Sequence, residues 1–256
     1  MVSIVDSGIS NKVVIITGAS GGIGNNLVNI FASNKYNVIA CGRKFDSSLI
    51  DNHKKIENSY KVSIERKIFD LTDNDQVRQV SGQINSEYKS IDILVNCSGR
   101  ATGSIFQMTS INHLEKMIKI NLLGPMLFSQ YIAKIMIGSR SGTIVNISSK
   151  ISMEPMRGTL EYGLSKATIN YLTKIMDIEL SQYGINTFAV APSLVNTGMY
   201  FEMDSDVRNK ILEQSPTKTA ADPKDLAFFI YTMSTKFASE VSGEILPFNL
   251  GTNSDD

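Results

Sequence analysis

Seven short runs of aliphatic and β-branched residues alternate with longer segments of helical apolar spacing, and this alternation restricts the fold more than any other feature. The runs are KVVIITG (12–18), YNVIACG (36–42), SIERKIFD (63–70), DILVNCS (92–98), GTIVNIS (142–148), INTFAVA (185–191) and EILPFN (244–249). Several are apolar at consecutive positions, as strands covered by helices on both faces must be. Between the first two, Ile23, Leu27, Ile30 and Phe31 recur at helical spacing; Val77, Val80 and Ile84 do so before the fourth. The pattern predicts an α/β fold, a Rossmann-like doubly wound parallel sheet of seven strands with helices on both faces.

At 256 residues, with no Pro/Gly/Ser linker and no repeat, the chain suits one domain over 1–256, with residues 1–11 as an extension and 252–256 as a tail. The segment from about Phe106 to Arg140 holds Pro125 in its interior, which predicts a kink or irregular turn. Residues from about 193 to 221 form the one long irregular stretch, expected as a substrate-side loop and helices carrying Met199 and Met203. It ends where Asp222 and Pro223 signal a helix start, with Asp225 in the first turn.

Equal counts of acidic and basic residues, 25 each, leave no cationic excess for a nucleic-acid backbone. Cys41 and Cys97 lie in apolar runs and read as buried reduced thiols; with only His53 and His113, no metal site is expected. No stretch reaches transmembrane length and MVSIVDSGISNK lacks the shape of a signal peptide, so a cytoplasmic protein without a membrane partner is expected.

TGASGGIG (17–24) follows the first strand and opens the first helix. Gly18, Gly22 and Gly24 allow a tight turn and close approach of a ligand, and the helix amino terminus presents free N–H groups to a pyrophosphate. The second strand ends in ACGRK. An NAD site typically places an acid there, whereas Arg43, followed by Lys44, suits a 2′-phosphate. NADP(H) is therefore favoured over NAD(H), although surface charges after a strand would read the same way.

Tyr162 and Lys166 stand one helical turn apart in EYGLSKA, and Ser149 lies thirteen residues before the tyrosine. A phenol of pKa about 10 needs roughly 4 kcal/mol of preferential stabilisation of its anion to work near neutrality, and a neighbouring cation is one source. Taken alone, Tyr-x-x-x-Lys is weak evidence and reads first as a helix surface with a snorkelling lysine.

TGASGGIG, NCSG (96–99), Asn121 in KINLLGP, Ser149 and YGLSK (162–166), in this order and spacing, resemble the short-chain dehydrogenase/reductase family over about Lys12 to Gly251. The resemblance implies a catalytic tetrad of Asn121, Ser149, Tyr162 and Lys166, with Ser148 as the structural alternate to Ser149. It implies dinucleotide contacts from Gly18, Ser20, Gly22, Ile23, Gly24, Arg43, Asp70, Leu71, Asn96, Gly99, Tyr162, Lys166, Pro192, Val195 and Thr197. Within this set Asp70 would meet the adenine, Asn96 would brace the central sheet, and Thr197 would hold the carboxamide. Lys166 would lower the tyrosine pKa, and Asn121 would hold a water that resupplies protons. Two departures stand out: Pro192-Ser193 replaces the family's Pro-Gly, and the chain closes in PFNLGTNSDD.

The nearest functional resemblance is to 3-oxoacyl-[acyl-carrier-protein] reductases, which reduce a ketone on a carrier-bound chain. Arg140 fits one place where those relatives grip the carrier, and Tyr183 stands where a second base would be. Arg100 and Arg157 offer themselves to an anionic small molecule, or are plain surface charges. Met153, Met156, Met199 and Met203 suit an adaptable apolar pocket or ordinary packing. A dehydrogenase of a sugar, polyol or other secondary alcohol is the alternative, and a non-catalytic dinucleotide sensor a third reading. Surplus apolar residues on the helices around 106–136 and 161–182 (Met126, Leu127, Ile135, Ile137; Ile169, Leu172, Ile175, Ile178) predict a homodimer or homotetramer.

Overall fold

The computed structural model describes residues 12–202, 205–213 and 218–249. The expected extension 1–11, Met203 and the closing run beyond Asn249 lie outside the described residues, as does the side chain of Met199.

All seven expected strands form: β1 (Val13–Thr17), β2 (Asn37–Gly42), β3 (Ile64–Ile68), β4 (Ile93–Asn96), β5 (Gly142–Ile147), β6 (Ile185–Pro192) and β7 (Ile245–Phe248). They pair in parallel in the order β3-β2-β1-β4-β5-β6-β7. The helices are α1 (Gly22–Ser33), α2 (Ser47–Tyr60), α3 (Asn74–Glu87), α4 (Ile111–Ile118), α5 (Gly124–Ser139), α6 (Leu160–Leu180), α7 (Gly198–Glu202), α8 (Ser205–Glu213) and α9 (Pro223–Lys236).

Alternation along β1 shows why both faces must be covered. Val14 and Ile16 join Leu27 and Phe31 of α1, Ile56 of α2 and Ile230 of α9 on one face. Val13 and Ile15 join Val77 and Ile84 of α3 and Phe128, Ile132 and Met136 of α5 on the other. Each fully buried side chain of this size stabilises the fold by about 1.5–3 kcal/mol relative to exposure. Ile23 and Ile30 pack only partly, at the margin of the α1 stripe. Asp222 caps α9 by accepting from the Lys224 N–H at 2.8 Å, ahead of Pro223 and Asp225 as expected.

The irregularity expected near Pro125 is a π turn at Lys119–Leu123, closed by the Gly124 N–H on the Lys119 carbonyl. Proline has no N–H for the carbonyl four residues back and its ring crowds it. The wide turn absorbs that mismatch and continues the helix through Ser139. Gly124 is needed for close approach, since a Cβ there would stand 2.4 Å from the Leu71 carbonyl oxygen.

Two expectations need correction, on membrane-length runs and on the burial of Cys97. Ile111–Ser139 is a helical run long and apolar enough by length and composition to cross a membrane, though half of its apolar window is buried inside the fold. Within 193–221, expected as loop and helices, the helices are α7 and α8. Cys97 is only partly buried, unlike Cys41; both are free thiols. Among the described residues no group of three or more His, Cys, Asp or Glu side chains could hold a metal ion.

Candidate active site

In a parallel sheet the strand order reverses around β1 and β4, and the crevice outside their carboxyl ends is where open α/β folds bind ligands. Thr17 ends β1 opposite Asn96 at the end of β4, which stands opposite Asn146 of β5. The glycine turn, the Cys97–Gly99 turn and Ser149 therefore leave the same edge of the sheet.

The glycine turn is shaped by contact. A Cβ on Gly24 would lie 2.1 Å from the Gly18 carbonyl oxygen, and Gly18 itself holds φ +67 while packing on the Ser98 backbone. No side chain caps α1 at Gly21, and its first turn holds no acidic residue. The α1 amino terminus is thus shaped for an anion, and these residues fit the diphosphate of a dinucleotide. The Ala19 N–H donates to the Cys41 carbonyl at 3.1 Å, tying the turn to the end of β2.

Ser20 reaches the end of β2 that Arg43 follows. The Ser20 hydroxyl lies 3.4 Å from where a Gly42 Cβ would be, and Arg43 is exposed beside it. Asp46, the nearest carboxylate in sequence, is spent capping α2 on the Leu49 N–H at 2.8 Å. Asp70 accepts from both the N–H and the hydroxyl of Thr72 at 2.8 Å, which shapes the turn that carries Leu71. Thr197 packs on the glycine turn, its side chain 2.9 Å from a Cβ placed on Gly22, and Val195 bridges to Ala221. Ser193 donates its N–H to the Phe248 carbonyl at 3.1 Å and is not among the residues with positive φ, so serine is tolerated without backbone strain.

Four side chains define the centre. The Lys166 ammonium is buried, donates to the Ile147 carbonyl at 2.7 Å, and sits 5.8 Å from the Tyr162 ring centroid. Burial pulls its pKa down to about 8. Burial also pushes the half-buried Tyr162 phenol above the ordinary tyrosine value, against a smaller downward pull from the Ser149 hydroxyl. The expected lowering of the tyrosine pKa by Lys166 is therefore absent from the protein alone. A desolvated lysine 5.8 Å from the ring does not outweigh the cost of a buried phenolate.

The two serines separate cleanly. Ser148 is engaged with the Asn170 side-chain oxygen at 2.6 Å, the Ser152 hydroxyl at 3.1 Å and the Lys166 carbonyl at 3.3 Å. Ser149 has only its carbonyl tied down, by the Ser152 hydroxyl at 2.6 Å, which leaves its own hydroxyl directed to Tyr162.

Asn121, placed in the π turn, is fully buried and clamps the Arg100 backbone. Its oxygen accepts the Arg100 N–H at 2.8 Å, and its NH2 donates to the Arg100 carbonyl at 2.9 Å and to the Ser165 hydroxyl at 2.9 Å. Asn121 and Lys166 meet across Gly99, where an added Cβ would lie 3.3 Å from the amide oxygen and 3.4 Å from the ammonium. Asn96 is spent on its brace, donating to Ser129 at 2.8 Å and to Asn146 at 2.9 Å, so its side chain faces the interior and not the cleft.

Sequence reasoning missed Thr17, whose hydroxyl accepts the Cys97 and Ser98 N–H groups at 3.1 and 3.2 Å and so shapes the turn before Gly99. A threonine closing the first strand was the available signal. It also missed Ser152 and Asn170, joined at 2.8 Å, which hold the backbone behind Ser149. Arg140, expected near the cleft, caps α5 at the opposite end of β5 and donates to the Gln182 carbonyl at 3.2 Å. Within one chain it is about 20 Å of strand away from Ser149.

A dinucleotide cradle at the switch point and a Ser-Tyr-Lys cluster beside it mark an oxidoreductase of the doubly wound class. The chain belongs to the short-chain dehydrogenases: the family profile described as short chain dehydrogenase matches residues 12–208. It is an oxidoreductase of that family acting on CH–OH groups. It is 28% identical over 243 residues to the 3-oxoacyl-[acyl-carrier-protein] reductase FabG of Thermotoga maritima, covering 95% of this chain and 98% of that one. It is 30% identical over 240 residues to a 3alpha-hydroxysteroid dehydrogenase of Mediterraneibacter gnavus, covering 93% and 95%. Among solved structures, ElxO with NADP bound superimposes with a TM-score of 0.84 at 29% identity, covering 94% and 98%.

Ser149→Ala is expected to lower turnover about 10²–10³-fold with an unchanged melting temperature. Ser148→Ala is expected to lower the melting temperature first, through its lost buried hydrogen bonds. Steady-state kinetics and calorimetry of the two variants check this, and a reversed pattern would exchange the roles of the serines.

Proposed function

We propose that this chain interconverts a ketone and a secondary alcohol using NADP(H), with Tyr162 as general acid and base. The observation that carries the reading is the hydrogen bond between Ser149 and the Tyr162 phenol, with the Lys166 ammonium 5.8 Å from the Tyr162 ring and packed beside Gly99. A bound nicotinamide would supply or take up the hydride.

In the reducing direction Ser149 holds the carbonyl oxygen by a hydrogen bond that strengthens as negative charge gathers there. Tyr162, kept protonated by its burial, donates its proton to that oxygen. Lys166 holds positive charge next to the phenolate left behind. Asn121 has one oxygen lone pair beyond its bond to Arg100, and that position suits a water feeding protons toward the lysine. The described part of the segment after β6 would supply the substrate side of the cleft, since Thr197 rests on the glycine turn.

NADP(H) is preferred over NAD(H) because Arg43 stands free beside Ser20 while Asp46 is committed to its helix cap. The NADP-bound ElxO structure supports the same choice. A 3-oxoacyl group on a carrier is the first substrate reading, supported by relatives such as the Thermotoga maritima reductase. A free secondary alcohol or ketone is the second, favoured by the placement of Arg140 at the far end of β5 and by the hydroxysteroid dehydrogenase relative.

Assembly into a homodimer or homotetramer is also proposed, through α5 and α6. Leu164, Tyr171 and Ile178 recur every seventh residue on α6 and are exposed, the last two by 71% and 70%. Ile135 and Ile169, first counted in that surplus, are instead buried in the protomer core, whereas Met126, Leu127, Ile137, Leu172 and Ile175 are half-buried. Light scattering should give two or four copies, and a monomer refutes the proposal.

NADPH oxidation on a β-ketoacyl thioester and on a panel of free ketones and sugars identifies the substrate class. Tyr162→Phe should abolish turnover on every one while NADPH still binds; retained reduction sinks the assignment. Lys166 is charged below its pKa of about 8 and neutral above it. Since kcat/KM reports groups of the free enzyme, it should be level below pH 8 and fall above it in the reducing direction. Arg43→Asp should weaken NADPH about 10-fold or more and leave NADH unchanged or improved. An unaltered cofactor ratio removes Arg43 from the discrimination.

A further inference from the structure

Residues 99–103 run along the mouth of the reaction centre, and contact fixes both ends of the run. At one end Gly99 lies against the Lys166 ammonium and the Asn121 side-chain oxygen, 3.4 and 3.3 Å from where its Cβ would stand. At the other, a Cβ on Gly103 would lie 2.3 Å from the carbonyl oxygen of Gly158, in the segment that joins Ser149 to Tyr162. The run therefore passes from the lysine to the connection between the serine and the tyrosine.

Arg100 carries the one charged side chain of this run. Its backbone is held at both polar groups: the Asn121 oxygen accepts its N–H at 2.8 Å, and the Asn121 NH2 donates to its carbonyl at 2.9 Å. Asn121 is itself 1% exposed and donates to Ser165 at 2.9 Å, so the clamp is rigid. The backbone thus faces inward to one buried amide, while the Arg100 side chain is exposed. Among the described residues its guanidinium has no hydrogen bond and no ion pair.

No carboxylate compensates that charge. Residues 98–111 hold no Asp or Glu, and between Ser149 and Leu160 the one acid, Glu154, is committed to Lys150 at 3.1 Å. Glu161 is buried in α6 and makes no ion pair among the described residues. A guanidinium whose backbone is already ordered, and which lacks a counter-charge, is preorganised for an anion, because part of the ordering cost is met before binding. One planar fork pairs both oxygens of one carboxylate. This fork starts one residue from the contact that seats Lys166, beside the place where Ser149 and Tyr162 would hold a ketone oxygen.

We infer that Arg100 sets the substrate class of this centre: a short-chain ketone that also carries a carboxylate, the carbonyl held by Ser149 and Tyr162 and the carboxylate by the Arg100 guanidinium. The inference rests on the ketone-reducing reading of the centre and deepens it by choosing a free oxo acid over a neutral thioester. The carboxylate is a handle only. The ketone gains a hydride from the reduced nicotinamide at carbon and the Tyr162 proton at oxygen, and leaves as a hydroxy acid.

Levulinate and its two next longer homologues, each beside its methyl ester, are titrated by calorimetry into the whole protein with NADP+, where no reduction can occur. At least one acid should bind about tenfold or more tightly than its ester, as a charged bidentate pair provides. Arg100→Met should abolish that preference, and Arg100→Lys should keep part of it. Circular dichroism establishes that the variants are folded, and Arg100→Gln takes the place of Arg100→Met if that one is not. With NADPH in place of NADP+, kcat/KM of the natural chain should show the same preference for acid over ester. The inference is overturned if no acid binds more tightly than its ester or if Arg100→Met keeps the preference. It is overturned too if Arg100→Met weakens NADP+ and leaves the preference unchanged, since the guanidinium then serves the cofactor. A preference that depends on Arg100 without any reduction by NADPH sinks the ketone reading and leaves the carboxylate site standing. Reduction of acids and esters alike does the reverse.

Discussion

A row of three buried polar residues across the central strands sets where everything else in the site can stand. Thr17, Asn96 and Asn146 end or nearly end β1, β4 and β5 in mutual register, within largely apolar strands. Asn96 ties β4 to Asn146 and, through Ser129, to α5; Asn146 continues to Thr173 of α6 at 2.9 Å. A slip of one residue would turn these groups to the opposite face and leave them unpaired, at about 1–3 kcal/mol for each stranded group. The row therefore locks the register, and with it the points from which the glycine turn, the Gly99 turn and Ser149 depart. Thr17 extends the same logic beyond the sheet by holding the Cys97 and Ser98 amides.

Desolvation governs the chemistry at that edge. It raises the Tyr162 phenol and lowers the Lys166 ammonium together, so both groups are held nearer to neutrality than in water. The lysine is anchored to the Ile147 carbonyl and so stays close to the tyrosine without neutralising it. A protonated phenol hydrogen-bonded to the Ser149 hydroxyl is compatible with the proton donation proposed for Tyr162. Asn121 contributes mainly as a clamp, fastening the segment after Gly99 to the π turn that Pro125 makes necessary.

Much of this was legible along the chain. The strands and the helix starts at Gly22 and Asp222 follow from apolar period and capping chemistry, which are local properties. Pro125 announced an irregularity, though not that it would be a π turn carrying Asn121. Ser148 and Ser149 could be ranked only by spacing; their hydrogen bonds, to Asn170 in one case and toward Tyr162 in the other, depend on side chains far away in sequence. Arg140 misled because nearness to Ser149 in sequence is a full strand length in space. Ile135 and Ile169 looked like surplus because burial depends on the elements that pack against a helix, which the helix's own period does not name.

The sequence by itself determined the fold class, the glycine turn between β1 and α1 and the pairing of a tyrosine with a lysine, because each rests on local pattern: period two or 3.6, glycines at a strand-to-helix turn, a spacing of one helical turn. Only the tertiary structure decided the direction in which burial shifts Tyr162 and Lys166, the different hydrogen bonding of the two serines, and the clamping of the Arg100 backbone by Asn121. The physical reason is that pKa shifts and buried hydrogen bonds are set by what surrounds a group in space, and those neighbours come from strands and helices up to eighty residues away, as Thr17 and Cys97 show.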